Sequence, residues 1–336
     1  MTQDPRIGSV LQERYRVVER LAVGGMGVVY RGERIGLERP VAIKFLRTGV
    51  GKKEHLGRFE REARAMSRLA HPACVPVIDY GVDGDAPYIV LEFVDGPALD
   101  EILADGPLAP ARAVALVRQI LAGLAHAHEQ GVIHRDMKPG NVIVSPIAGA
   151  GEQARIVDFG LAKLAEPSAT ASWSTASIAV GTPGYMSPEQ ARGEEVDRRT
   201  DLYSTGILLF ELLAGRKPFV AEEPIEVLRM HLEQPPPTLA EAAPDRRFSR
   251  ELQAVIDGAL AKDPDRRWQT AVAFSEKLAA TPEGQTGATG SEPIVVESSL
   301  PPRDRRDPVI ERLPTPAPPP RPRSPRLGIF FGALTT

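Results

Sequence analysis

The stretch that decides the fold is HRDMKPGN, residues 134–141, on a loop that follows a predicted helix. Within six residues it places a carboxylate, a cation and a side-chain amide, an order that a random polar loop would hardly produce. We expect Asp136 to accept a hydroxyl proton, Lys138 to steady a negatively charged transferring group, and Asn141 to bind Mg²⁺. His134 is expected to be a packed structural residue rather than an acid or a base.

A glycine-rich turn, residues 24–27, lies upstream between two predicted strands. Glycines there would let backbone N–H groups approach phosphates without interference from a Cβ atom, although simple hairpins also contain glycines. The next strand contains VAIK and ends in Lys44, which is either a solvent-facing residue or a charge on the α- and β-phosphates of a nucleotide. In the second interpretation Glu62 of the following helix would hold the lysine. The alternative, Glu60, points about 200° away around the helix axis.

Two further stretches follow the loop at 134–141. Asp158 begins a DFG triplet after a strand-like segment, and it is either a Mg²⁺ ligand or part of an ordinary turn. Residues 181–189 read GTPGYMSPE, and the intervening residues 166–177 are rich in Ser, Thr and Ala. That intervening segment has little to pack with and is expected to be mobile unless something orders it. The five stretches fall in the order that phosphoryl transfer requires.

The pattern of apolar residues predicts two units. Residues 1–94 are predicted to be β-rich, with strands at 15–21, 28–32, 40–45, 75–80 and 87–93 and one helix at 53–69. Residues 95–280 are predicted to be mainly helical, with helices at 111–129, 201–214, 225–233, 250–261 and 270–279. The middle of 201–214 is nearly all apolar, which indicates a helix buried on every side.

Composition narrows the class of protein. The chain has 336 residues, 42% hydrophobic and 25% charged, which is ordinary for a soluble globular protein. The net charge of −3 gives no reason to expect a nucleic-acid partner. Cys74 is the single cysteine, fits a reducing cytosol and is expected to be an apolar filler, with a reactive thiol as the alternative. His126 and His128 lie two apart on a predicted helix and face different sides, so we reject a metal site there.

Together these residues resemble the eukaryotic-like (Hanks-type) serine/threonine protein kinases of the bacterial branch, from about Leu11 to Ala280. The runs GGMGVVY at 24–30 and GTPGYMSPEQARG at 181–193 add to the resemblance. It implies an α+β, bilobal fold with a small β-rich N-lobe carrying one key helix and a larger, mainly helical C-lobe. It also implies transfer of the γ-phosphoryl group of Mg-ATP to Ser or Thr hydroxyls of proteins, with Mn²⁺ as a substitute for Mg²⁺.

The same resemblance implies roles for individual residues. Those implied to bind nucleotide or its metal are Ala22, Val23, Gly24, Gly25, Met26, Gly27, Val29, Ala42, Lys44, Glu62, Leu91, Glu92, Val94, Asn141, Ile143 and Asp158. Leu91 would be the gatekeeper, and Val29, Ala42 and Ile143 would sandwich the adenine. Those implied to be structural are Glu189 with its partner Arg267, and Asp201, which would anchor the catalytic loop.

The sequence departs from the family pattern at three positions. Ala22 stands where the first glycine of the loop is usual, Met137 replaces a leucine, and Ser187 replaces an alanine. None of these changes removes a charged or metal-binding group, so the resemblance implies an active enzyme.

A regulatory switch is expected next to the catalytic aspartate. The guanidinium of Arg135 would attract a phosphate placed on the Ser/Thr-rich segment, and Ser174 and Thr175 are the preferred acceptors. Ser172 and Ser177 are alternatives, as is a flexible loop without a switch. Thr182 together with Lys138 is the pattern of serine/threonine specificity. Autophosphorylation would involve self-association of the chain.

The last part of the chain changes composition, since 12 of the 32 prolines fall in the last 56 residues. Residues 281–326 are predicted to be a disordered linker, followed by a short apolar tail at 327–336. Arginines precede this tail, as at the cytoplasmic flank of a membrane helix, but ten residues are too few to span a bilayer. The chain is expected to be cytoplasmic, either with a loose tail or tethered to the membrane if it continues into a membrane helix.

Two other functions stay open at this point. One is a small-molecule phosphotransferase of the aminoglycoside or choline kinase type, which residues 181–189 argue against. The other is a nucleotide-binding scaffold, which would bind ATP without turnover.

Overall fold

The structure is a computed structural model that describes residues 4–25, 27–46, 53–147, 149, 151–160 and 183–286. Its first part is a six-stranded antiparallel sheet with the strand order β1-β2-β3-β4-β6-β5. The strands are β1 Val10–Leu11, β2 Tyr15–Gly24, β3 Gly27–Arg34, β4 Arg39–Leu46, β5 Val77–Asp83 and β6 Ala86–Glu92. Helix α1, Lys53–Met66, packs against β5 and β6.

The two faces of this sheet differ because successive side chains of a strand point to opposite sides. In β4, Val41, Ile43 and Phe45 join an apolar cluster on the outer face. The alternate residues, Ala42 and Lys44, therefore lie on the inner face, toward α1 and the helical part of the chain. This alternation carries Lys44 to the cleft.

The second part of the fold is mainly helical. Its helices are α2 Leu99–Ala104, α3 Pro110–Glu129, α4 Pro188–Arg192, α5 Arg198–Ala214, α6 Pro224–Glu233, α7 Leu239–Ala242, α8 Arg250–Ala259, α9 Ala271–Ala279 and α10 Pro282–Thr286. A two-stranded hairpin of β7, Val142–Ile147, and β8, Gly151–Ile156, packs on α3. Among the described residues, no helix is both long and apolar enough to cross a membrane.

Helix α5 is enclosed by its neighbours, as its composition indicates. Every residue from 200 to 210 is buried. Asp197 caps the start by accepting a hydrogen bond from the Arg199 N–H, and Gly215 ends the helix with a φ of 72°. Because α3 and α8 both pack against it, α5 is the centre of the helical part.

The predicted elements agree with the observed ones to within a few residues. The largest differences in the first part of the chain are of three residues: β2 continues to Gly24, β5 continues to Asp83 rather than ending at residue 80, and α1 ends at Met66 rather than at residue 69. The division of the chain into lobes at residue 94 stays a prediction.

The predicted start of the linker at residue 281 is wrong. Residues 282–286 form α10, which packs on α3, and Thr281 is only 1% exposed. Glu283 accepts hydrogen bonds from Ser249 N at 2.8 Å and from Ser249 Oγ at 2.7 Å. Composition misses this helix because Pro282 stands at its start, where proline is tolerated, and because its stabilising contact is with a distant residue. The rest of the predicted linker and tail lies outside the described residues.

Glu283→Ala is expected to lower the free energy of unfolding by about 1–2 kcal/mol, since Ser249 at the start of α8 loses a charged acceptor. Urea unfolding would measure this change. Glu233→Ala is the matched control, because Glu233 forms an exposed pair with Arg229 and its side chain is 68% exposed. Equal effects of the two substitutions would contradict the proposed role of Glu283.

Candidate active site

The catalytic loop between α3 and β7 is held by one buried carboxylate. Asp201 of α5 accepts hydrogen bonds from the backbone N–H groups of His134, at 2.9 Å, and Arg135, at 2.8 Å. His128 Nε2 lies 2.7 Å from the same carboxylate. Burial alone would raise the pKa of Asp201, but these hydrogen bonds and the His128 ring hold it below its usual value. Asp201 therefore occupies the anchoring position that the sequence implied.

His134 is packed inside this loop, as expected. Its Nδ1 lies 3.2 Å from the Asp136 N–H, and its Nε2 lies 2.9 Å from the carbonyl oxygen of Val157. These partners require Nδ1 to accept and Nε2 to donate, so the ring is the neutral Nε2–H tautomer. The ring also meets the edge of Phe159 at a centroid distance of 5.0 Å. His134 thus ties the catalytic loop to the segment that carries Asp158.

The proposed proton acceptor is held by two neighbours of the same loop. Lys138 Nζ lies 2.7 Å from Asp136 Oδ2. Asn141 Nδ2 donates to the Asp136 carbonyl oxygen at 2.7 Å and to Asp136 Oδ2 at 3.2 Å. Because Asn141 uses its amide nitrogen in these bonds, its Oδ1 is the atom that can face a cation. The three residues therefore form one polar group.

The lysine of β4 and the aspartate of the DFG triplet meet directly. Lys44 Nζ lies 2.6 Å from Asp158 Oδ2, across 114 residues of sequence. Asp158 has a φ of 64°, a conformation that is uncommon for a residue with a side chain and that is found at functional sites. The neighbouring Val157 N–H donates to the Asn141 carbonyl oxygen at 3.0 Å. Lys44 thus contacts Asp158 and Asn141 contacts Asp136, and the backbone hydrogen bond from Val157 to Asn141 joins the two pairs.

The predicted ion pair between Lys44 and Glu62 is not the one that this structure forms. The carboxylate at salt-bridge distance from Lys44 is that of Asp158. Glu62 lies beside Gly160 instead, since a Cβ atom on Gly160 would be 4.0 Å from Glu62 Oε2. Helix α1 therefore does bring Glu62 to the DFG segment.

The residues implied to surround the adenine, together with Leu91, Glu92 and Val94, lie on the inner face of the sheet or in the segments next to it. Across the sheet, Val29 is paired with Lys44 and Ala42 with Leu91, so these side chains share the face of the cleft. The other members of this group are Ile143 in β7, Glu92 at the end of β6 and Val94 just after it. Glu92 also accepts a hydrogen bond from Arg155 at 2.6 Å.

The glycine-rich turn contains one position where only glycine fits. Gly27 has a φ of 157°, and a Cβ atom there would lie 1.9 Å from the Phe45 carbonyl oxygen. Ala22, Val23 and Gly24 end β2 on the other side of the turn, which Gly25 begins. Met26 lies outside the described residues, as do Ser172, Ser174, Thr175, Ser177 and Thr182. Their assigned roles stay predictions.

A buried ion pair fixes the segment that follows. Arg267 donates to Glu189 Oε1 at 2.8 Å and to Glu189 Oε2 at 2.7 Å, and Thr200 Oγ1 donates to Oε1 at 2.7 Å. The side chains of Arg267 and Glu189 are 0% and 7% exposed. Burial would raise the pKa of Glu189, but the Arg267 guanidinium lowers it to about 2. The predicted pair is confirmed as a contact.

Two residues of this site were missed from the sequence. His128 was considered only as a metal ligand, whereas its ring contacts Asp201. Gln190 was quoted only within the family pattern, whereas its side chain donates to the Arg135 carbonyl oxygen at 2.8 Å. His128 lies near the end of the helix that leads into the catalytic loop, and this position could have indicated that its ring faces the loop. Gln190 offers no local signal beyond its place three residues after Ser187.

Comparisons with known proteins agree with this geometry. Residues 15–278 match the family model described as "Protein kinase domain". The chain is 45% identical over 272 residues to serine/threonine-protein kinase pkn2 of Myxococcus xanthus, covering 81% of this chain and 33% of the relative. It is 38% identical over 323 residues to serine/threonine-protein kinase PknB of Mycolicibacterium smegmatis, covering 92% of this chain and 50% of that protein.

Solved structures show the same similarity. The crystal structure of the Mycobacterium tuberculosis PknI kinase domain matches with a TM-score of 0.63 and 28% identity, covering 83% of this chain and 98% of that one. The chain spans about a third to a half of the length of the curated relatives named above.

The sheet with one helix, the helical part and the placement of Lys44, Asp158, Asn141 and Asp136 are those of the protein kinase class. The chain belongs to the protein kinase family, and its relatives are bacterial serine/threonine kinases of the Hanks type. The α+β kinase fold and the family resemblance predicted from the sequence are confirmed.

Proposed function

We propose that this chain transfers the γ-phosphoryl group of Mg-ATP to serine and threonine hydroxyls of proteins. The observation that supports the proposal is the pair of contacts Lys44–Asp158 and Asn141–Asp136, joined by the backbone hydrogen bond from Val157 to Asn141. Membership of the family implies ATP, a divalent cation and protein substrates. The choice of Mg²⁺ and the identity of the substrates belong to the proposal.

The residues present fit a magnesium site. Asp158 offers a carboxylate and Asn141 an amide oxygen, and oxygen atoms are the ligands that Mg²⁺ prefers. Few protein ligands are expected for Mg²⁺, because this ion keeps waters and phosphate oxygens as its other ligands. Mn²⁺ is an expected substitute, since it accepts the same kinds of donor. When bound, the cation would neutralise negative charge on the phosphates.

The chain's own residues account for alignment and proton transfer. Lys44 supplies a positive charge at the phosphate side of the cleft, and its 6% exposure leaves little competition from water. Asp136 accepts the proton of the attacking hydroxyl, while Lys138 beside it steadies the transferring group. A loose transition state requires positioning and neutralisation of charge rather than covalent chemistry, which this arrangement suits.

We also propose that autophosphorylation in residues 166–177 activates the enzyme. Arg135 is adjacent to Asp136, and a guanidinium binds phosphate through paired, charge-assisted hydrogen bonds. Ser174 and Thr175 remain the preferred acceptors. Such a reaction between two copies of the chain would require transient self-association. A cytoplasmic location and a membrane tether likewise stay predictions.

Lys44→Met is expected to lower phosphoryl transfer at least about a hundredfold, because the charge opposite Asp158 and the phosphates is lost. The measurement is incubation with labelled ATP and Mg²⁺, with a protein acceptor and with a small aminoglycoside or choline acceptor in separate reactions. Lys277→Met, at an exposed position of α9, is the matched control and should transfer at the wild-type rate.

The outcomes separate the competing functions. Transfer only to the small acceptor would contradict protein kinase activity, and ATP binding without any transfer would support a scaffold. Mass spectrometry of the ATP-treated wild type tests the switch. Absence of phosphate in residues 166–177 would count against the proposed autophosphorylation.

A further inference from the structure

The short helix α4 reaches the catalytic loop through one side chain. Gln190 Nε2 donates to the carbonyl oxygen of Arg135 at 2.8 Å. The other end of the same amide is also occupied, since Gln190 Oε1 accepts the Ser187 N–H at 3.0 Å. These two partners fix which end of the amide is nitrogen, because the opposite assignment would set donor against donor and acceptor against acceptor.

The orientation of Gln190 is set by a capping box at the start of α4. Ser187 Oγ accepts the Gln190 N–H at 3.3 Å, while the Gln190 side chain accepts the Ser187 N–H. The departure at residue 187, where an alanine is usual in the family, therefore has a structural consequence. The serine completes a cap that an alanine side chain could not form, and the cap holds Gln190 toward the loop.

The bond from Gln190 falls on the peptide unit that precedes Asp136. The C=O of this unit, from Arg135, accepts from Gln190, and its N–H, from Asp136, donates to His134 Nδ1 at 3.2 Å. Arg135 has a φ of 69°, an uncommon backbone conformation that the surrounding contacts must maintain. Both ends of this peptide are thus held by side chains, and the peptide places the backbone from which the Asp136 carboxylate extends to Lys138 and Asn141.

Helix α4 is itself firmly placed. Glu189, the neighbour of Gln190, is fixed by the buried pair with Arg267. The segment before the cap, Pro183–Tyr185, is held by Ser204 Oγ, which donates to the Tyr185 carbonyl oxygen at 2.7 Å. A displacement of residues 183–192 would therefore be transmitted through Gln190 to the catalytic loop.

We propose that Gln190 is a positioning residue that couples residues 183–192 to the orientation of Asp136. This inference rests on the proposed kinase function, in which Asp136 accepts the hydroxyl proton. Gln190 acts through the Arg135 carbonyl group and does not itself contact the reacting atoms.

Gln190→Glu isolates the bond, because the substituted side chain keeps the acceptor for the Ser187 N–H but loses the donor to Arg135. We expect kcat for a protein substrate to fall about ten- to a hundredfold, as for a small misplacement of a catalytic group. KM for ATP should stay within about twofold, and the thermal midpoint should stay close to that of the wild type, since the cap is retained.

A pH series separates positioning from simple support of the fold. Lowering the pH from about 7 to about 5 begins to protonate the introduced carboxyl, since the ordinary pKa of Glu is about 4.3, and an acid O–H can donate to the Arg135 carbonyl. The ratio of variant to wild-type kcat should therefore rise as the pH falls. Glu241→Gln is the matched control: it makes the reverse change in the capping box of α7, and kcat should not change.

Unchanged kcat in Gln190→Glu would overturn the inference. So would a loss of kcat that follows a lower thermal midpoint and whose ratio to the wild type does not depend on pH. If the wild type itself transfers no phosphate to protein, the proposed function is wrong and the inference falls with it. If the wild type transfers phosphate to protein and Gln190→Glu has the same kcat, only the inference about Gln190 is refuted.

Discussion

Asp136→Asn is expected to lower the rate of phosphoryl transfer by at least about two orders of magnitude, within the range for loss of a general base. The amide has the shape of the carboxylate but cannot accept a proton at neutral pH. It also removes the negative charge that Lys138 Nζ contacts at 2.7 Å. The hydroxyl of the substrate would then have no group to receive its proton.

Single-turnover transfer from labelled ATP to a protein substrate would measure this effect, together with ATP affinity. Affinity should change little, because Lys44 and Asp158 are untouched. Asp85→Asn is a suitable control, since Asp85 is exposed in the turn between β5 and β6. Near-normal turnover in Asp136→Asn would remove Asp136 from its assigned role.

Arg267→Met is expected to lower the free energy of unfolding by about 3–5 kcal/mol at neutral pH, the usual cost of removing one partner of a buried ion pair. The substitution leaves the carboxylate of Glu189 buried without its guanidinium partner, so that the hydrogen bonds from Thr200, at 2.7 Å, and from its own backbone N–H are left to compensate its charge. Chemical denaturation would measure the change. The double variant Glu189→Gln with Arg267→Met is the informative control. It removes the buried carboxylate charge that has lost its partner, and it should recover part of the lost free energy of unfolding.

The free energy of unfolding should depend on pH with opposite sign in the wild type and in Arg267→Met. In the wild type the pKa of Glu189 is lowered from 4.5 to about 2, so its contribution to stability is present above pH 4.5 and is lost as the pH falls toward 2. In Arg267→Met, burial without the guanidinium raises the pKa of Glu189. The variant should therefore lose stability as the pH rises through the pKa that Glu189 has in the unfolded state. The difference in free energy of unfolding between the two proteins should be largest near neutral pH. A gap that does not depend on pH would contradict this account.

Local patterns in the sequence were sufficient to identify the chemical groups of the site. Asp136 and Asn141 lie on one short loop, and the alternation of β4 carries Lys44 to the inner face. The contacts between distant segments were harder to predict. Lys44 and Asp158 are 114 residues apart, and His128 and Asp201 are 73 apart, so only the packing of whole elements decides which partners meet.

The same reason explains the two errors. Glu62 and Asp158 are both carboxylates of the site, and helical spacing alone cannot show which one points at the ammonium of Lys44. At the end of the helical part, the proline content of residues 281–336 led to the prediction of a disordered linker. That content gives no sign of the contact between Glu283 and Ser249, which are 34 residues apart. Composition describes an average over a segment, whereas one capping contact can order its first few residues.

The enclosed helix α5 has a consequence for the growing polypeptide. Each group assigned here to the chemistry, from Lys44 to Asp158, precedes Asp201 in the chain and leaves the ribosome before it. A nascent chain that stops short of α5 thus contains the complete set of reactive side chains, but the N–H groups of His134 and Arg135 have no carboxylate to organise them. The chain can become catalytically competent only after Asp201, which takes no part in the reaction, has been synthesised. An unfinished chain would therefore be protected from premature activity.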